Sequence, residues 1–187
     1  QQVLGYSALK TGVAYLLVSS VIIVSAGASQ ALVTKIGVRT VLASGMGLTA
    51  AGLIYFSQVP VNGSYWVNLA PGFILSGVGL GFSFVPVTIA ALVGVDQNEA
   101  GVASGIINTS QQVGGALGTA ILSTVAFTRV SDYVQSHPPT PDLILRADVS
   151  GFSVAFLVGA ALSALGLLAT LTIPILLFER QQAKVRR

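Results

Sequence analysis

The chain has 187 residues, of which 53% are hydrophobic and 8% are charged, and its formal net charge is +3. An average soluble domain is about 25% charged, so this composition, with a mean hydropathy of +0.82, excludes a water-soluble globular protein. The absence of cysteine excludes disulfide bonds, and the small positive charge gives no indication of a nucleic-acid partner.

Four long stretches of the sequence contain no charged residue: 11–34, 40–95, 100–128 and 149–178. A helix needs about 20 residues to cross a membrane, and the second stretch is long enough for two crossings around the turn-forming sequence VPVNGSYW at 59–66. Barrel strands would alternate apolar and polar residues, and these stretches do not. The sequence therefore predicts an all-α, polytopic transmembrane helix bundle, as a single domain over 1–187, with five spans at about 11–33, 39–58, 66–93, 99–127 and 150–178 and a tail at 179–187.

The basic residues near the ends of the spans predict the orientation in the membrane. Six of them fall on one side, namely Lys35, Arg39, Arg180, Lys184, Arg186 and Arg187, and three on the other, namely Lys10, Arg129 and Arg146. The side with six is expected to be cytoplasmic. The N-terminus is then outside and the tail is cytoplasmic in a multi-pass protein of the cell membrane. Since the chain begins with Gln1 and has no signal peptide, we expect it to be a fragment of a longer protein.

Residues that perform catalysis or bind metals are not grouped within the spans. No span holds a pair of carboxylates or a cluster of histidine and cysteine. The sequence GVGLGF at 77–82 has the wrong spacing for a phosphate-binding loop and follows no strand. The sequence therefore predicts that the chain is not an enzyme and has neither a metal site nor a cofactor. His137, followed by two prolines, is expected to be a solvated loop residue.

Five consecutive polar residues, 108–112, lie inside the uncharged fourth span. At 100° per residue, Asn108, Gln111 and Gln112 fall on one side of a helix, and Ile106, Val113, Leu117 and Ile121 fall on the opposite side. Lipid is expected to contact the apolar side, and the amides are expected to face protein or a water-filled cavity. Two interpretations stay open: hydrogen bonds between helices, and the lining of a substrate path.

Polar and small residues share faces of the other spans as well. The candidates for the substrate path are Tyr15, Ser19, Ser76, Ser83, Asn108, Gln111 and Gln112. Close helix packing is predicted at Gly101, Gly105, Gly114, Gly115 and Gly118. Pro86 should bend the third span, either as a packing kink or as a hinge. Spans one, three and four are expected inside the bundle, and spans two and five outside, because span two has few polar atoms.

Several sequences resemble one protein family: LGYSALKTGVAYL, TKIGVR, GFSFVPVTIAALVGV and EAGVASGIINTSQQVGGALGTAIL. They are similar to the C-terminal part of major facilitator superfamily transporters, in particular the fourteen-span drug/proton antiporters. The resemblance implies most of the C-terminal six-helix domain of that fold, and proton-driven efflux of hydrophobic or amphipathic drugs by alternating access. The partners would be the lipid bilayer, a small hydrophobic substrate and the missing N-terminal half of the same protein.

The sequence departs from the family at two positions. Gln111 stands where family members commonly have arginine, and Thr34 stands where they have an acid. The loop VTKIGVR still matches at Lys35, Gly37 and Arg39, which are hinge or gating candidates together with Pro86. For the two basic residues, topology anchors and a conformational latch both stay open. The alternatives to a transporter are a non-transporting membrane scaffold or assembly subunit, and a passive channel.

Overall fold

The structure, a computed structural model, describes residues 6–92 and 94–172. Nearly all of them belong to helices: α1 (Ala8–Ile36), α2 (Val38–Phe56), α3 (Ala70–Leu92, preceded by the π-helical turn Tyr65–Leu69), α4 (Ala100–Ser136) and α5 (Leu143–Thr172). All five are long and apolar enough to cross a membrane, and there is no strand within the described ranges. The predicted all-α bundle of five spans is confirmed.

Two of the helices, α4 and α5, differ most from the predicted spans. α4 continues past the predicted end at 127 to Ser136, and α5 begins at Leu143 instead of 150, so the connection shrinks to 137–142. This connection, HPPTPD, contains three prolines, which interrupt helices, whereas 129–136 contains neither proline nor glycine. The predicted end of the last span at 178 and the tail at 179–187 lie outside the described residues.

Contacts between neighbours arrange the helices in the order α1, α3, α2, α5, α4. α2 therefore lies between α3 and α5, and it also contacts α1. α4 packs mainly against α5. Among these five helices, the prediction that spans one, three and four lie inside and spans two and five outside is therefore wrong except for α3, because α2 and α5 lie in the middle of this order and α1 and α4 at its ends. Close packing of small residues, and not the number of polar atoms, decides which helices become neighbours.

Glycines bring α2 and α3 into direct backbone contact. A Cβ atom built on Gly45 of α2 would lie 2.9 Å from the carbonyl oxygen of Gly79 on α3. A Cβ on Gly52 would lie 2.8 Å from the backbone nitrogen of Ser76. Real Cβ atoms do not approach other atoms so closely, so side chains larger than hydrogen at these positions would force the two helices apart.

Aromatic rings connect four of the helices near one end of the bundle. Tyr15 of α1 lies 5.8 Å from Phe73 of α3, measured between ring centroids. Phe73 lies 5.2 Å from Phe56 of α2, which lies 5.3 Å from Phe156 of α5. Such spacings are typical of favourable aromatic pairs. The rings therefore stabilise α1, α3, α2 and α5 as one layer.

A single residue, Gly37, connects α1 and α2. Its φ is +86°, a value that L side chains rarely adopt. Its N–H donates to the carbonyl oxygen of Val33 at 3.1 Å, which closes the end of α1. The chain thus reverses within one residue, and Arg39 becomes the second residue of α2.

Candidate functional site

The two halves of α4 have different surroundings. The second half, 122–136, packs on α5: a Cβ on Gly151 would lie 2.7 Å from the carbonyl oxygen of Ala126, and Arg129 Nε donates to Ser150 Oγ at 3.0 Å. No residue of α4 is buried, but several residues of the second half are half-buried, whereas nearly all of the first half, 100–121, is exposed. Its side chains therefore face lipid, water or a helix that is not part of the described chain.

This first half carries the amide stripe, by which we mean Asn108, Gln111 and Gln112. All three side chains are exposed. Thr109, between them, donates its Oγ1 hydrogen to the carbonyl oxygen of Gly105 at 2.8 Å and so satisfies itself within the helix. The three amides form no hydrogen bond with any part of the chain that the structure describes. Since unsatisfied polar groups are costly in a bilayer, they need a helix, water or a ligand beside them.

The electrostatics of this half are simple, because residues 100–128 include no ionisable side chain. Among the described residues there is no group of three or more histidine, cysteine or acidic residues that could hold a metal ion. An amide has both a donor and an acceptor and no net charge. Recognition by the stripe would therefore depend on hydrogen bonding and shape, and not on the charge of the bound group.

An open groove of about 640 Å³ runs along a different side of the same half. It is lined by Val102, Gly105, Ile106, Thr109, Ser110, Val113, Gly114 and Leu117. The groove thus includes three of the four apolar residues predicted to face lipid, Ile106, Val113 and Leu117, and none of the three amides. Because one helix alone forms it, we interpret the groove as helix surface and not as an enclosed binding site.

Two candidates on α1 are exposed like the stripe. The Tyr15 side chain is 56% exposed although its ring approaches Phe73, and Ser19 is exposed one turn further along the helix. Tyr65, in the π-helical turn before α3, donates its hydroxyl hydrogen to the carbonyl oxygen of Ala14 at 2.8 Å. The structure therefore places Tyr15 and Ser19 on an open surface of α1, and their contact with a substrate stays a prediction.

The two candidates on α3 have a different position. Ser76 is buried opposite Gly52 of α2, and its Oγ has no hydrogen-bond partner among the described residues. Ser83 is half-buried opposite Gly45, and its Oγ donates to the carbonyl oxygen of Gly79 at 2.8 Å. The structure thus brings these serines to the contact between α2 and α3 and not to the amide stripe. Their part in a substrate path stays a prediction.

The glycines of α4 have open space around them. A Cβ built on any one of Gly101, Gly105, Gly114, Gly115 and Gly118 would meet no described atom within 4 Å. The contacts predicted for these glycines are therefore not made by these five helices. Close packing at these positions stays a prediction, and it requires a neighbour outside the described chain.

The hinge or gating candidates lie in two regions: Pro86 in α3, and Lys35, Gly37 and Arg39 around the connection between α1 and α2. Pro86 lies within α3 and is fully buried. Lys35, in the last turn of α1, is exposed, and its side chain makes no hydrogen bond within the described chain. Arg39 is half-buried and reaches the far end of α5, where its Nε donates to the carbonyl oxygen of Thr170 at 3.1 Å.

Two buried serines of α1 were not among the residues predicted from the sequence. Ser25 and Ser29 are both buried, and Ser29 Oγ has no partner among the described atoms. A Cβ on Gly81 of α3 would lie 2.7 Å from Ser25 Cβ, so this serine belongs to the contact between α1 and α3. The spacing of four residues, which places both on one side of the helix, was the available signal.

Comparison with known proteins gives the family. The sequence model of the Major Facilitator Superfamily matches residues 1–119. The chain is 34% identical over 167 residues to a puromycin resistance protein of Streptomyces alboniger, which covers 87% of this chain and 33% of the relative. It is 34% identical over 132 residues to a tetracenomycin C resistance and export protein of Streptomyces glaucescens, covering 71% and 24%. It is 32% identical over 126 residues to a cephamycin export protein of Amycolatopsis lactamdurans, covering 67% and 26%.

Proposed function

Since this chain belongs to the Major Facilitator Superfamily, a family of multi-pass membrane transporters and not of enzymes, we propose that it forms part of an exporter of hydrophobic or amphipathic drugs. Export would proceed by alternating access. The proposal concerns the whole protein, because the chain spans a third or less of the length of the relatives described above. Their names mention resistance or export for three different compounds, which supports a drug as the substrate.

The amide stripe is the observation that carries this proposal. Ligand sites for apolar compounds are mostly apolar and hold a few well-placed polar groups. Asn108, Gln111 and Gln112 are such groups, exposed on a helix that has no charged residue from 100 to 128. Because each amide can donate and accept, the stripe could bind compounds whose polar groups differ. The rival interpretation is that the amides bond only to another helix.

We further propose that protons drive the export, as the resemblance to drug/proton antiporters implies. Proton relays in membranes ordinarily use Asp, Glu, His, Lys or Arg side chains, and the uncharged stretches 11–34, 40–95, 100–128 and 149–178 contain none of these. The residue that carries the proton is therefore expected in the part of the transporter that this chain does not cover. The same part is the expected partner of the first half of α4.

Export by the full-length protein tests this proposal. Cells that express it should extrude a fluorescent hydrophobic cation faster than cells that lack it, and a protonophore should abolish the difference. The measurement is the rate of fluorescence decay after loading, with ATP held constant. Export that persists with the protonophore would contradict only the proposal that protons drive it. Equal rates with and without the protein, for a panel of compounds, would contradict the proposal that the protein is an exporter.

We also propose that the end of the bundle with Lys35 and Arg39 is cytoplasmic, because six of the nine basic residues in the sequence, these two and the four that follow the last span, are expected on that side. Cysteines introduced singly at Asn62 and His137, both exposed at the opposite end, should react with an impermeant thiol reagent in intact cells. A cysteine at Lys35 should react only after permeabilisation. The reverse pattern of labelling would reverse the orientation.

A further inference from the structure

Arg39 connects the beginning of α2 to the last described turn of α5 by hydrogen bonds. Its Nε donates to the carbonyl oxygen of Thr170 at 3.1 Å, and its Nη2 donates to the carbonyl oxygen of Leu171. These residues are more than 130 positions apart in the sequence, with separations of 131 and 132. The guanidinium therefore makes a long-range tertiary contact through two donors.

α2 and α5 are also connected by hydrogen bonds at two other positions along their length. Ser163 Oγ of α5 donates to the carbonyl oxygen of Met46 in the middle of α2, at 3.0 Å. Ser153 Oγ donates to the carbonyl oxygen of Ser57 just after α2, at 2.6 Å. Arg39 thus completes a series of bonds that runs along the whole of α2. It is the member of the series that carries a charge.

Among the described residues, Arg39 is the donor to the carbonyl oxygen of Thr170. In an α-helix the carbonyl of residue i accepts from the N–H of residue i+4. Residue 174 is proline, which has no N–H. A carbonyl without a donor is costly in the membrane, and the guanidinium supplies one. A charge-assisted bond of this kind is stronger than a neutral one.

The neighbouring basic residue shows that charge alone does not produce this contact. Lys35 is exposed in the last turn of α1, while Arg39 is half-buried in the first turn of α2. Gly37, with its φ of +86°, separates them and turns the chain. The planar guanidinium presents several N–H groups in a fixed fork, which suits two adjacent carbonyls better than an ammonium does.

We propose that Arg39 is a positioning residue that clamps α5 to α2 at their basic end, the end that holds Lys35 and Arg39, so that the two helices move as one unit. That the two helices move together during transport rests on the proposed function, whereas the contact of Arg39 with α5 does not. A basic residue that only anchored the chain at the membrane surface would act like Lys35. Arg39 instead controls how far the backbone of α5 can open at Thr170.

Labelling of a buried position tests the clamp. Thr170 is 7% exposed, and the chain has no native cysteine, so Thr170→Cys in an otherwise cysteine-free full-length protein reports opening between the helices. The measurement is its rate of reaction with a small thiol reagent in membranes open on both sides. Adding Arg39→Met should accelerate the reaction about tenfold or more, the size expected when a charge-assisted hydrogen bond that limits local opening is lost.

Lys35→Met is the matched control, since it removes the same charge from the same connection. It should leave the reaction at the parent rate. Equal acceleration by both substitutions, or by neither, would overturn the clamp. Should the Arg39→Met protein not accumulate, Arg39→Lys decides, because the lysine keeps the charge for membrane insertion. It should label faster than the parent, and labelling at the parent rate would overturn the proposal. Labelling needs no export, so its outcome is independent of the transport assay.

Discussion

Gly45→Ala is expected to destabilise the folded protein by about 1–3 kcal/mol, as overpacking of a well-packed contact does. The added methyl carbon would lie 2.7 Å from both the backbone carbon of Phe82 and Ser83 Oγ, and 2.9 Å from the carbonyl oxygen of Gly79. Two of these three atoms belong to the backbone of α3, so no side-chain rotation relieves the contact. The measurement is the thermal unfolding midpoint of the purified full-length protein in detergent.

Gly47→Ala provides the control two residues away on the same helix. A Cβ on Gly47 would lie 4.0 Å from Leu167 Cδ2 of α5, an ordinary van der Waals distance. Replacing glycine by alanine at a compatible position commonly stabilises by about 0.4–1 kcal/mol. The midpoint should therefore stay or rise. If both alanines lowered it by the same amount, the close contact of α2 and α3 would not be the cause.

Asn108→Leu and Gln112→Leu are expected to change which compounds the full-length protein exports while leaving its folded yield nearly unchanged. The wall of a substrate path tolerates the loss of polarity, because water and different ligands already contact it. If the amides bond another helix, the same changes should lower stability, by an average of about 0.6 kcal/mol and at most roughly 1.7 kcal/mol for each interhelical hydrogen bond. Membrane protein level and unfolding midpoint separate these outcomes.

Leu117→Ala is the control for the stripe. Leu117 lies on the same half of α4, is 59% exposed, and lines the apolar groove. Its truncation removes apolar surface from a side that the stripe does not share. We therefore expect neither the export profile nor the stability to change greatly. If Leu117→Ala changed the export profile as much as Gln112→Leu, the substrate path would have to include the apolar groove.

The spans could be predicted from the sequence because the membrane imposes a simple requirement. Each crossing needs about 20 apolar residues, and charges mark where a crossing ends. They do not mark where the helix ends, which is why α4 reaches Ser136 through the charged residues Arg129 and Asp132. Outside the membrane, proline and glycine are strong signals for the end of a helix, and the first such residue after the predicted end of this span is Pro138.

Helix starts were less predictable. Asp96 and Glu99 have the spacing of a capping box, with Asp96 as the cap. In the structure Glu99 occupies the cap position of α4 without a side-chain bond. Asp96 Oδ1 instead accepts from the backbone N–H of Asn98 at 3.2 Å, in the turn before the helix. Such a local bond competes with capping, and spacing alone does not reveal which of them forms.

The neighbours of each helix could not be predicted from polarity. Span two has few polar atoms, but Gly45 and Gly52 allow it to approach α3, and Met46 and Ser57 offer carbonyls to serines of α5. These contacts are long-range, and no local pattern shows which glycine faces which helix. The contact of Arg39 with Thr170 is of the same kind. The loop motif indicated that Arg39 matters, but not what it bonds.

The amide stripe could be recognised from the sequence because helical periodicity is local. Asn108 and Gln112 are four residues apart, and the uncharged stretch around them shows that they lie in the membrane. The five helices leave the stripe exposed, so they determine its position but not its partner. The partner depends on the rest of the transporter and on the substrate, and neither is encoded in the pattern of α4 itself.

The central claim is that the amide stripe contacts the exported compound. Its most direct test is the ratio of export rates for two chemically unrelated compounds, measured in the same membranes for the parent, Asn108→Leu, Gln112→Leu and Leu117→Ala proteins. Because the ratio is independent of protein level, it reports selectivity alone. We predict that the ratio changes several-fold for the two amide variants and stays at the parent value for Leu117→Ala. Both export rates falling in parallel with protein level, at an unchanged ratio, would contradict the claim.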